Sequence, residues 1–329
     1  MKRALWLITV ALPLAAQPKL LVNAKVDTRS ASAGLEPAFR ALVTAQPQPA
    51  WIGYVVPSVR TFNLGCEYVN GNGGGSAGVV HLEPPDHALI LFRVENNTVD
   101  RIRSLSPECQ IDAGDVPFHW ISDVQPAQSV ALLATFATEH DKPYNGALNA
   151  MSMHADPSAD QALDRFLAPD QPQSLRLHVV SWMGSARGRH GLDTLKKLID
   201  NDPDLRVRER AVSALASSRD PEALNTLIAI ARSDKSAKMR AQAIGDLNRQ
   251  PASKVLPTLV NAVENDPDLD VQRRALSTLH SLPDGEGIPV LIQVVKTTKS
   301  PEVRKQAMSN LRSSRDPRAL AFFEDVLKQ

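Results

Sequence analysis

Gly73, Gly75 and Gly78 fit the spacing G-x-G-x-x-G, which lets a backbone approach a pyrophosphate held at a helix N-terminus. The same stretch, Gly74-Gly75-Ser76-Ala77-Gly78, fits G-x-S-x-G, where a serine nucleophile stands on a sharp strand-to-helix turn. Both chemistries need a helix immediately afterwards. Val79-Val80-His81-Leu82 follows instead and reads as strand, and Pro84-Pro85 stops it. A run this rich in glycine matches both patterns through composition, so neither activity is assigned. The histidines at 81, 87, 119, 140, 154, 178, 190 and 280 are scattered, with none at i,i+4 and no H-E-x-x-H. No metal site, no catalytic residue and no cofactor is therefore assigned. His119-Trp120 and His81 near Glu83 remain as polar candidates, with packing or surface roles the preferred reading.

Cys66 and Cys109 form an even pair without C-x-x-C or metal-ligand spacing. How they read depends on the compartment, and the first residues bear on that. Lys2-Arg3, an apolar run from Ala4 to Leu14 and Ala15-Ala16 before Gln17 are the parts of a secretory signal peptide, expected over 1–16. The run is too short to span a bilayer, and no other segment reads as a transmembrane anchor. Export to a periplasmic or extracellular, oxidising space favours a structural disulfide over two free thiols or a redox pair. Such a bridge closes a loop of about 44 residues and stabilises by up to roughly 4 kcal/mol.

The chain has 329 residues with 43% hydrophobic and 22% charged, which excludes a disordered or collagen-like polymer. That length exceeds one core, so two domains or a repeat array are expected. Lys+Arg 37 against Asp+Glu 36 leaves a net charge of +1, without the basic excess of a nucleic-acid-binding protein.

A step of 32 residues organises the second half. It links Val207, Met239, Val271 and Val303, then Ala211, Ala243, Ala275 and Ala307, then Leu215, Leu247, Leu279 and Leu311. A second set, Leu224, Leu256, Ile288 and Leu320 with Leu227, Leu259, Leu291 and Phe323, keeps the same step. Stepping back reaches Leu175, Val179 and Met183, then Ala147, Met151 and Leu163. Within each unit the apolar spacing predicts two helices. Asp202-Pro203 and Asp266-Pro267 are expected to start first helices, and Asp220-Pro221 and Asp316-Pro317 second helices. Pro257 and Pro289 are expected in first turns. One such pair cannot bury its own apolar face, so neighbours must stack.

Val207-Arg208, Ala211-Val212 and Leu215, then Asp220-Pro221, Leu224 and Leu227, resemble the short HEAT-like repeat, which also occurs in phycobilisome-lyase subunits. The resemblance covers about residues 140–329. It implies a mainly α, HEAT-like solenoid of about six helix pairs and, for most proteins of this kind, an interaction scaffold. A few are enzymes or enzyme subunits. Deoxyhypusine hydroxylases, HEAT-like enzymes, bind iron through His-Glu dipeptides, which this chain lacks. That activity is not carried over.

In similar solenoids the second helices line the concave surface. Three columns opposite the apolar face are therefore the candidate partner-binding groove. The first runs His190, Glu222, Lys254, Glu286, Arg318; the second Thr194, Thr226, Thr258, Val290, Phe322; the third Lys197, Ala229, Asn261, Gln293, Asp325. Its expected contact residues are Thr194, Glu222, Thr226, Lys254, Thr258, Asn261, Glu286, Val290, Gln293 and Phe322. Mixed charge and small polar groups suit a protein or peptide partner rather than a phosphate backbone. Val290 and Phe322 are either a hot spot or a terminal packing contact. Arg176, Arg208, Arg240, Gln272 and Arg304 form another column, with Asp202, Asp234 and Asp266 six residues ahead of three of them. An inter-repeat ladder is preferred there over a basic stripe.

Residues 17–122 lack the period and are expected to form a disulfide-pinned, mixed, mainly β domain ahead of a solenoid over 123–329. Leu20–Val26, Trp51–Val56, His87–Glu95 and Val99–Leu105 read as strands, Glu36–Thr44 as a helix and Asn96-Asn97 as a hairpin turn. Asn96-Asn97-Thr98 also matches a glycosylation sequon. The reading that follows is a non-catalytic, exported scaffold holding a protein or peptide in a concave groove. The alternative is an enzyme or enzyme subunit of the lyase-like class acting on a bilin or other tetrapyrrole.

Overall fold

In a computed structural model of the chain, residues 21–59, 86–137 and 144–328 are described. The chain divides into two compact units, Met1–Phe166 and Leu167–Gln329. The expected signal segment, the glycine-rich run, Cys66 and His81 lie outside the described residues.

The first unit contains β1 (Leu21–Val22), β2 (Lys25–Ser30), α1 (Leu35–Thr44), β3 (Ala50–Pro57), β4 (His87–Glu95), β5 (Thr98–Leu105), β6 (Ile111–Asp112), β7 (Pro117–Ser122), α2 (Pro126–Phe136), α3 (Tyr144–Met153) and α4 (Pro157–Phe166). The described strands form a sheet in the order β2-β7-β3-β4-β5, with β7 parallel to both β2 and β3. β1 and β6 make a separate parallel pair. Asn96 and Asn97 have φ of 52° and 60°, the left-handed values that a tight turn between right-twisted strands requires, and β4 and β5 form the expected hairpin. The expected strand over Leu20–Val26 is instead two strands, because Asn23 at φ 49° breaks the extended run.

Ile52, Tyr54 and Val56 alternate on one face of β3 and are fully buried, as are Ile90, Phe92 and Val94 of β4. Phe39 of α1 packs edge-on to Phe92 at 4.7 Å, and Phe136 of α2 lies 6.1 Å from both rings. The opposite face gathers Leu89, Leu91, Phe118 and Trp120. Gly53 fits between them because a Cβ there would stand 2.8 Å from Leu91 Cδ2 and 3.1 Å from Phe118 Cζ. A sheet covered on both faces explains why β4 reads as a continuous apolar run.

The second unit contains α5 (Gln173–Ala186), α6 (Gly188–Asn201), α7 (Leu205–Leu215), α8 (Pro221–Ser233), α9 (Ala237–Asp246), α10 (Ala252–Asn265), α11 (Leu269–His280), α12 (Ile288–Thr297), α13 (Pro301–Ser313) and α14 (Pro317–Leu327). The first helices of successive pairs, α5, α7, α9, α11 and α13, pack each on the next, with the second helices stacked beside them. The 32-residue columns are the glue: Val207, Met239, Val271, Val303 and the Ala and Leu columns behind them are all at most 3% exposed. Ala147, Met151 and Leu163, which continue the columns backward, are also buried but lie on α3 and α4, in the first unit.

Asp220 and Asp316 cap α8 and α14 through the amides of Glu222 and Arg318, with Pro221 and Pro317 in the first turns as expected. The other two Asp-Pro pairs act differently. The caps of α7 and α11 are Asp204 and Asp268, two residues later, so Pro203 and Pro267 lie in the preceding turns. Pro257 stands inside α10, beyond its first turn, while Pro289 is in the first turn of α12.

Candidate functional site

The second helices carry the columns expected to form the groove. Lys254, Asn261, Glu286 and Gln293 are exposed, and Thr194, Glu222, Thr226 and Val290 are half-buried. Two expected members are not on that surface. Thr258 is 0% exposed and its hydroxyl accepts a 3.0 Å hydrogen bond from Arg232 Nε of the preceding repeat. Phe322 is buried at 7% exposure, 5.4 Å from Phe323, with the Lys296 ammonium 5.9 Å from its ring centre. Of the two readings left open for Phe322, the structure supports terminal packing. Glu222 is also engaged: Arg189 and Lys196 of α6 each donate to it at 2.5 Å. Those hydrogen bonds, Lys196 first and Arg189 second, hold its carboxyl below the usual range.

The arginine column forms a ladder, with geometry different from the expected one. Arg240 donates through Nε and Nη2 to both carboxylate oxygens of Asp266, each at 2.8 Å, and through Nη1 to the Asp234 carbonyl at 2.8 Å. The residue six places earlier thus offers its backbone, and the carboxylate comes from 26 places later, in the next repeat. Arg176 also pairs with the aspartate 26 places later, Asp202, but through Nη2 alone, while its Nε donates to the Leu167 carbonyl at 3.0 Å; both side chains are 3% exposed. Gln272 keeps the backbone half of the contact, donating to the Asp266 carbonyl at 2.8 Å. Burial pushes the Asp266 carboxyl up, but the hydrogen bonds from Arg240 and the Asp268 amide, with the Arg240 charge, outweigh it and leave that carboxyl lowered.

The first unit holds a polar cluster that no sequence spacing announces. Tyr54 of β3 and Ser129 of α2 share a 2.8 Å hydrogen bond, and His154 Nε2 lies 2.9 Å from the same Ser129 hydroxyl. His154 Nδ1 is 2.7 Å from the Ala150 carbonyl and so donates to it, which in the neutral ring leaves Nε2 to accept from Ser129. A serine hydrogen-bonded to an unprotonated imidazole nitrogen is the start of a nucleophile pair. All three side chains are 0% exposed, so the cluster binds three segments together and offers no surface to a substrate. Burial drives the Tyr54 phenol up.

His119 of β7, singled out by its sequence, is 8% exposed, with Nδ1 bonded to Asp27 of β2. His87 is exposed and bonds to Asp86 at 2.7 Å. Among the described residues no group of three or more His, Cys, Asp or Glu is placed to hold a metal ion. No helix among them is long and apolar enough to cross a membrane. Cys109 is buried.

A model of the HEAT repeats matches residues 159–248 and 256–329, which take in most of α4 and nearly all of α5–α14. This chain is a HEAT-like repeat protein. No curated protein matches it. Among solved structures, the HEAT-like chain is similar to YibA of Escherichia coli at 18% identity and a TM-score of 0.39, over 62% of this chain and 79% of that one. It is similar to human deoxyhypusine hydroxylase at 16% identity and a TM-score of 0.33, over 61% and 90%. The complex of CpcE and CpcF of phycocyanin lyase from Nostoc sp. PCC7120 follows at 19% identity and a TM-score of 0.31, over 57% and 76%. At these identities and scores no activity carries over to the HEAT-like protein.

Proposed function

We propose that this HEAT-like protein is a non-catalytic, exported scaffold that takes a protein or peptide partner on the open faces of its second helices. One observation carries the reading. Lys254 and Asn261 on α10 repeat at the 32-residue step as Glu286, just ahead of α12, and Gln293 on α12, and all four are exposed. Glu222 and Thr226 extend the row onto α8 and Thr194 onto α6, with Val290 as its apolar member. Rows of mixed charge and amide groups on a rigid stack suit an extended polypeptide, whose main chain presents donors and acceptors at regular intervals. Export rests on Lys2-Arg3 and the apolar run after them. The Cys66–Cys109 disulfide belongs to the same proposal.

The test is affinity capture of the mature chain from envelope extract beside a Lys254→Glu, Asn261→Glu, Gln293→Glu variant shown by circular dichroism and melting to be folded. A partner held by the first and lost by the second supports the groove. A partner held equally by both contradicts it.

A further inference from the structure

Three rungs of the arginine ladder have the same composition and the same 26-residue spacing, and one of them is open. Arg176 pairs with Asp202 and Arg240 with Asp266. Arg208 and Asp234, between them in the stack, form no ion pair. The Arg208 guanidinium makes a single long contact, 3.4 Å to the Asp202 carbonyl. The Asp234 carboxylate accepts the Ser236 amide at 2.8 Å. A cleft of about 580 Å³ has opened at this rung, lined by Arg208 and Asp234 with Ile199, Ile230, Lys235 and Met239.

The cleft has the parts of a recognition site. Arg208 presents a planar fork suited to a carboxylate, whose ordinary partner in the neighbouring rungs is an aspartate. Asp234 presents the complementary acceptor for an ammonium group. Asp200 also lines the cleft, so Arg208 and Lys235 are balanced by two carboxylates and a ligand of net charge either way gains little. Ile199, Ile230 and Met239 offer an apolar wall for an aliphatic body. The volume is within the range of small-molecule pockets, about 300–1,000 Å³. We propose that the cleft between Arg208 and Asp234 binds a zwitterion of amino-acid or dipeptide size with an aliphatic side chain, its carboxylate on Arg208 and its ammonium on Asp234. The cleft is at the turns joining α6 to α7 and α8 to α9; of the groove columns it shares only Ala229, and none of the expected groove contact residues lines it. The proposal is therefore independent of the groove.

Calorimetric titration of the full chain with L-leucine and with the dipeptide Leu-Leu tests it, beside N-acetyl-leucine and leucinamide, each of which lacks one charge. The expected result is saturable binding of at least one zwitterion, weakened about tenfold or more by either capping group. Arg208→Gln and Asp234→Asn should each weaken it by a similar factor with melting midpoints unchanged. Absence of saturable binding of both zwitterions up to about 10 mM overturns the proposal. So does binding that survives both caps or both substitutions.

Discussion

The guanidinium of Arg240 and the carboxylate of Asp266 meet fork to fork across consecutive repeats, through two hydrogen bonds of 2.8 Å. With side chains 10% and 7% exposed, this pair is removed from the screening that makes surface ion pairs weak. It also ties down the turn between α10 and α11, since Asp266 accepts the Asp268 amide at 2.9 Å.

Removing one partner therefore leaves a nearly buried charge uncompensated. Arg240→Gln or Asp266→Asn should destabilise the second unit by about 3–5 kcal/mol in urea unfolding. Arg208→Gln, at the open rung, should change it by less than about 0.5 kcal/mol. Equal losses from the two arginine substitutions would show that the Arg240 rung has no special role.

The columns that stack the helices were legible in the sequence because each copy must bury the same face: Val207, Met239, Val271 and Val303 differ in type but not in burial. The ladder was legible only in part. Asp234 six residues before Arg240 is visible in a repeat alignment, but the carboxylate partner comes from the next repeat, 26 residues on, where nothing within one repeat marks it. Thr258 shows the limit of column reasoning. Its repeat mates Thr194 and Thr226 are half-buried, but Arg232 reaches Thr258 from the preceding repeat and closes it off. Strand β7 escaped notice because six residues, Pro117–Ser122, are too few to display a period, although pairing on both sides makes it central. The Tyr54–Ser129–His154 cluster unites residues up to 100 positions apart and has no local signature.

In that cluster, Ser129→Ala should lower the stability of the first unit by about 1–3 kcal/mol, because it strips a partner from two buried groups at once. Tyr54→Phe, which removes only a donor, should lower it by about 1 kcal/mol. Chemical unfolding followed by Trp51 and Trp120 fluorescence measures both, and a neutral Ser129→Ala would contradict the network.

Asp316 provides a pH signature. The Arg318 side chain, then the Arg318 amide, hold its carboxyl at about 2. The folded value is below the ordinary aspartate value of about 3.9. Its contribution to anchoring α14 is therefore fully present above about pH 4 and is lost as pH falls through about 2. Carboxyl NMR should give a midpoint near 2 for Asp316, and Arg318→Gln should raise it toward 3.9. An ordinary midpoint in the parent chain would refute the pairing.

If the mature chain is exported, non-reducing peptide mapping should recover a Cys66–Cys109 crosslink and an N-terminus at Gln17. Cys109→Ser should then cost up to about 4 kcal/mol of stability in the first unit. Alkylation of both cysteines in the native, unreduced protein would sink this part of the account.

The central claim is that a partner lies along the second helices, and site-specific photo-crosslinking tests it most directly. A crosslinking side chain at Asn261, exposed on α10, should capture the partner, whereas one at Arg273, exposed on the first helix α11, should not. Capture from Arg273 with none from Asn261 would place the partner on the other layer and contradict the groove.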